Sequence, residues 1–140
     1  MFKEFKPKPA PLSSQEEIRK LCTKGDLNNA RKQCKKAGYQ FNDFTNEINI
    51  GARKMVISHR TGELLSFIYN YEIKVEYDIP TLLNNLYELP DYHSFLKNAH
   101  RFKIYKGLED KIDDAINQLL KKGQTADAEG WRRKINSLKE

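Results

Sequence analysis

Lys97, Arg101, Lys103 and Lys106 place four cations within ten residues, and Arg132, Arg133 and Lys134 place three more beside Trp131, the single tryptophan. Two further groups are Arg31, Lys32, Lys35 and Lys36, then Arg53, Lys54 and Arg60. Phosphate binding wants cations in a row, and single strands add stacking on aromatic rings. Tyr39 and Tyr105 lie beside two of the groups. The chemistry on offer is therefore non-covalent binding of nucleic acid, with Arg31, Lys35, Arg53, Lys54, Lys97 and Arg101 as candidate contacts. The ordinary reading stands beside it: each group is the solvated face of its own helix, and Trp131 is a core anchor.

The middle of the chain points elsewhere. Residues 1–60 carry 13 Lys/Arg against 6 Asp/Glu, residues 61–95 carry 1 against 6, and residues 96–140 carry 11 against 7. The acidic stretch holds Tyr69, Tyr71, Tyr77, Tyr87 and Tyr92 within 24 residues. Tyrosine is enriched at interfaces because its ring is apolar and its hydroxyl tolerates water. Tyr77, Tyr87 and Tyr92 are the candidate contacts to a protein partner, or to a second copy in a homodimer. The leading expectation is a non-catalytic protein–protein interaction module; the alternative is an RNA- or DNA-binding module.

Little supports catalysis. His93 and His100 are seven apart, two helical turns, where a helical metal pair needs a spacing of about four. Glu109, Asp110, Asp113 and Asp114 fall in the first turns of an expected helix, where the dipole favours carboxylates without any acid–base role. The sequence shows no G-x-G-x-x-G, G-x-x-x-x-G-K-[ST] or G-x-S-x-G pattern. No enzyme activity, cofactor or metal is expected.

Hinges organise these residues. Lys24-Gly25-Asp26-Leu27, Thr61-Gly62-Glu63-Leu64 and Lys122-Gly123-Gln124-Thr125 each close one helix-like stretch and open another. Apolar residues recur at helical spacing throughout. Ile18, Leu21 and Cys22 precede the first hinge; Leu27, Ala30 and Cys34 follow it. Phe44, Ile48, Ala52 and Met55 mark a third helix, and the almost wholly apolar run from Leu64 to Ile73 reads as a buried one at the centre of the fold. Asp78 with Pro80 starts the next helix, Asp91 heads another that runs on towards Gly107, and Ile112, Ala115, Ile116 and Leu119 give the clearest stripe. The expectation is an all-α protein of about eight helices, either degenerate hairpins in a solenoid-like stack or a compact bundle. Ile73 to Tyr77 alternates as a short strand would, but reads better as a helix end and linker.

Residues 1–13, with Pro7, Pro9 and Pro11 among lysines, read as an extended arm, and 14–140 as a single helical domain. Hydrophobic residues at 39% and charged ones at 31% exclude a disordered chain. No apolar run nears the roughly 20 residues that span a bilayer, and the N-terminus has no signal-peptide pattern, so the expectation is a cytoplasmic protein with no membrane partner, a delivered effector not being ruled out. Cys22 and Cys34 should sit at different heights of a hairpin, about 9 Å apart along the axis, too far for a disulfide; two buried free thiols are expected.

Residues 18 to 30, from Ile18-Arg19-Lys20-Leu21-Cys22 to Leu27-Asn28-Asn29-Ala30, resemble one pentatricopeptide or tetratricopeptide-type motif, which carries Leu-Cys-x-x-Gly-x-Leu-x-x-Ala across its turn. The Gly62 copy has Phe67 where the small alanine belongs, and the Gly123 copy lacks the leucine. The resemblance implies an α-solenoid whose concave face binds single-stranded RNA or peptide segments, and it assigns no residue to reading a nucleotide.

Overall fold

The computed structural model describes residues 10–139, and the side chains of 14–139. Residues 1–9 of the expected arm lie outside the described residues. All the described regular structure is helical: α1 (Ala10–Lys24), α2 (Leu27–Ala37), a 3-10 turn (Phe41–Phe44), α3 (Thr45–Ile57), α4 (Thr61–Tyr71), α5 (Ile79–Glu88), α6 (Tyr92–Arg101), α7 (Glu109–Lys121) and α8 (Thr125–Leu138). The described residues are all-α, with eight α-helices, and residues 72–78 form a linker rather than a strand. The first helix opens at Ala10, within the residues expected to form the extended arm. Among the described residues no helix is long and apolar enough to cross a membrane.

The chain divides into two compact units. The first holds α1 to α3 and the segment Ile73–Glu76. Gly25, at φ +87°, makes the turn from α1 to α2, and its N–H donates to the Cys22 carbonyl at 2.9 Å. Asp26 caps α2, accepting from the Asn29 N–H at 3.3 Å and from the Asn29 amide at 2.9 Å. Ile18, Cys22, Leu27, Ala30, Cys34, Phe44, Ile48, Ala52 and Met55 make the core. Each fully buried leucine, isoleucine or methionine there is worth about 1.5–3 kcal/mol. α3 packs along α1, close enough for Gly51 to meet the Cys22 carbonyl directly.

Cys22 and Cys34 are free and buried, as their spacing suggested. Burial pushes the Cys22 thiol up to about 12, helped by charge on Cys34 and Glu47, and pushes Cys34 to about 11. In the second unit a hydrogen bond to Asp114 takes Tyr87 up to about 12. All three groups hold their protons more tightly folded than unfolded. Their contribution is therefore complete below the ordinary thiol value near 9 and is lost as pH rises through 11 and 12. Melting temperature should fall steadily above pH 9 by circular dichroism, with 5,5′-dithiobis-(2-nitrobenzoate) unreactive towards the native protein at pH 8. A melting temperature flat to pH 11.5 would contradict this.

The second unit holds α4 to α8. Its hub is α6, which packs on α4, α5, α7 and α8, presenting Phe95, Leu96 and Ala99 inward. The apolar run of α4 is not the centre: it packs on α5 and α6 while Tyr69 and Tyr71 stay 49% and 40% exposed. The turn into α4 is made by His59, at φ +63°, and Gly62 is already helical. Asp78 and Asp91 cap α5 and α6, accepting from the N–H groups of Thr81 at 2.8 Å and Ser94 at 3.3 Å. Gly123, at φ +80°, turns α7 into α8.

Candidate functional site

Helical spacing builds a groove in the second unit. Lys97, His100 and Arg101 stand three and four residues apart on one edge of α6, and Trp131, Lys134 and Leu138 on one edge of α8. With Tyr69 of α4 and Lys103, they line an open concavity of about 520 Å³. Four of the eight lining residues are lysine or arginine, and none is a carboxylate. A second concavity of about 500 Å³, shared at Lys103 and Leu138, adds Ile104, Tyr105, Lys106 and Lys139.

Cations and rings are paired here. The Arg101 guanidinium lies 4.9 Å from the Tyr69 ring centre and Nη1 donates to Ser66 Oγ at 3.0 Å. Lys134 Nζ sits 4.7 Å from the Trp131 ring and Lys139 Nζ 5.1 Å from Tyr105. Tyr69 is braced edge-on by Phe102 at 5.4 Å, and Trp131 by His100 at 6.4 Å. Such pairs hold the rings in place while leaving the charges at the surface.

The loop after α6 carries strain into the groove. The helix ends at Arg101, short of Gly107. Phe102 is the C-cap, and Lys103 follows at φ +57°, a left-handed position that usually takes glycine. The Ile104 N–H closes the turn on the Ala99 carbonyl at 2.9 Å. A lysine in this conformation costs about 1 kcal/mol relative to glycine. Here the cation is kept at the junction of the two concavities.

The other sequence candidates are distributed differently. Arg31 and Lys35 lie on α2 and Arg53 and Lys54 on α3, in the first unit. Arg53 forks the Glu76 carboxylate, Nε to Oε2 at 3.0 Å and Nη2 to Oε1 at 2.7 Å. The Arg53 bond holds that carboxyl below its ordinary value. Tyr77, Tyr87 and Tyr92 are each half-buried. The Tyr87 hydroxyl donates to Asp114 Oδ2 at 2.5 Å, and its ring packs on Tyr92 and Phe95 at 5.9 and 5.4 Å. Asp114, bound also by Gln118, is held low for the same reason. The tyrosines that face solvent most are Tyr69 and Tyr71. His93 Nε2 lies 2.8 Å from Gln124 Oε1, a bond between the starts of α6 and α8.

The sequence put Lys97 and Arg101 in one cation group and Trp131 beside another; their meeting in one groove needed the packing of α6 on α8. Comparison with protein-family models, with curated proteins and with solved structures finds no match.

Proposed function

We propose that the protein is a non-catalytic nucleic-acid-binding protein that engages a single strand in the α6/α8 groove. The observation that carries this reading is the lining itself: Lys97, Arg101, Lys103 and Lys134 around Tyr69 and Trp131, with no carboxylate among them. Phosphates supply the charge these cations need, and bases have faces to stack on the rings. The net charge of +6 adds long-range attraction. The test is fluorescence anisotropy with a labelled single-stranded RNA and a duplex DNA. Saturable binding of the single strand that weakens steeply from 50 to 200 mM salt supports the reading. Absence of binding at 50 mM salt rejects it.

Lys103 offers an independent check. Lys103→Gly relieves the left-handed strain and should stabilise the protein by about 0.5–1 kcal/mol, while strand affinity drops about threefold through the lost phosphate contact. Thermal melts and titrations on the same sample separate the two effects. A stabilised variant with unchanged affinity would remove Lys103 from the site.

A protein partner is the second reading. Ile57 is 76% exposed and Ile50 39%, both on α3 and seven residues apart, so they share a face. Apolar docking there would persist at 200 mM salt, where the phosphate contacts weaken.

A further inference from the structure

The concavity next to the α6/α8 groove, of about 500 Å³, is lined by Ile104, Tyr105 and Leu138 and by three lysines, Lys103, Lys106 and Lys139, with no carboxylate. Half of its lining is apolar or aromatic and half is cationic, the combination that a base and its flanking phosphates require. It repeats the composition of the groove, where Tyr69, Trp131 and Leu138 stand among Lys97, Arg101, Lys103 and Lys134. Lys103 and Leu138 line both. Two elements hold the second concavity in shape. The Ile104 N–H bond to the Ala99 carbonyl ties the loop to the end of α6, and the Tyr105 carbonyl accepts the Leu108 N–H at 3.1 Å. From the end of α8, Lys139 Nζ reaches to 5.1 Å from the centre of the Tyr105 ring. Tyr105 is half-buried, while Lys103, Lys106 and Lys139 are exposed.

We infer that this concavity is a second base slot of the same site: one base of the bound strand stacks on Tyr105, a neighbouring base stacks on Trp131 or Tyr69 in the groove, and Lys103 takes a phosphate between them. The inference rests on the single-strand reading above. Charge complementarity selects a polyanion, and the Tyr105 ring selects one with flat faces. Leu138, common to both slots, keeps the two bases from stacking on each other. The site therefore takes a strand with its bases splayed and not a duplex, whose bases are already paired and stacked.

The test sets two strands against two variants, by anisotropy at 20 mM salt, where phosphate contacts alone hold a strand. The strands are an eight-nucleotide oligouridylate and an eight-unit abasic sugar–phosphate chain of the same charge. The variants are Tyr105→Leu, which keeps an apolar side chain but removes the ring, and Tyr105→Phe, which keeps the ring. The bond that Tyr105 gives to its turn is a backbone one, so both variants should fold. Tyr105→Leu should weaken oligouridylate binding at least fivefold, the lower end of what one base–ring stack contributes, and abasic binding less than twofold. Tyr105→Phe should stay within twofold of the wild type on both strands. Trp131 emission at saturation should be quenched by oligouridylate equally in all three proteins, because the groove slot is intact. Unchanged oligouridylate affinity in Tyr105→Leu, with Trp131 still quenched, overturns the second slot and leaves the groove reading standing. An equal loss on both strands also overturns it, because Tyr105 would then only support Lys139. If neither strand binds the wild type, the groove reading fails and the second slot with it.

Discussion

Gly51→Ala is expected to destabilise the first unit by about 3 kcal/mol or more, at the upper end of what overpacking a core costs. In an ordinary helix the same change stabilises by up to about 1 kcal/mol, because glycine is a poor helix former. Gly51 reverses the sign because α1 passes against it. A Cβ there would lie 1.9 Å from the Cys22 carbonyl oxygen and 3.0 Å from its carbon. These are backbone atoms of the neighbouring helix, so no rotamer change makes room. The same carbonyl accepts the Gly25 N–H that closes the α1–α2 turn, so moving it disturbs that turn as well. Gly130, in α8, is the control, since a Cβ there meets nothing within 4 Å. Gly130→Ala should stabilise by about 0.5–1 kcal/mol. In urea melts the two alanines should move the midpoint in opposite directions. Equal stabilisation by both would mean that α1 and α3 are not in the contact described.

The second large effect is on binding. Reversing Lys97 and Lys134 together to glutamate should weaken single-strand binding about 100-fold at 50 mM salt, through two lost phosphate contacts and two new repulsions. Both side chains are exposed, so stability should change by less than about 0.5 kcal/mol each. The salt slope should become shallower by about 1.4, at roughly 0.7 per phosphate contact to a single strand. Reversing Lys35 and Lys54, on α2 and α3, changes net charge equally but should cost less than about fivefold, the part due to long-range attraction alone. Similar losses from both pairs would show that net charge, not the groove, drives association.

Much of the architecture was legible because it is written locally. Gly25 and Gly123 mark turns since their left-handed φ suits glycine, and Asp26, Asp78 and Asp91 announce helix starts with carboxylates that accept N–H bonds. What sequence missed depends on neighbours. His59, rather than Gly62, takes the positive φ before α4. Gly51 looks like a weak point of helix propensity until α1 is laid across it. The run from Leu64 to Ile73 looked central because it is apolar, yet α6, with its single sharp apolar face, touches four other helices. Cation groups around Lys97 and Lys134 were each visible, but their union around Trp131 comes from helix packing, which no periodicity displays. Tyr87 is a comparable case: its hydrogen bond to Asp114 spans 27 residues of sequence.

Trp131 allows the most direct measurement, because the chain's single tryptophan lines the proposed groove. Its fluorescence would be followed as an unlabelled single-stranded RNA is titrated at 50 and at 200 mM salt. Saturable quenching at 50 mM, with an affinity at least tenfold weaker at 200 mM, is the predicted result. Strand binding seen by anisotropy with no change in Trp131 emission would contradict the account, since the strand would then lie outside the α6/α8 groove.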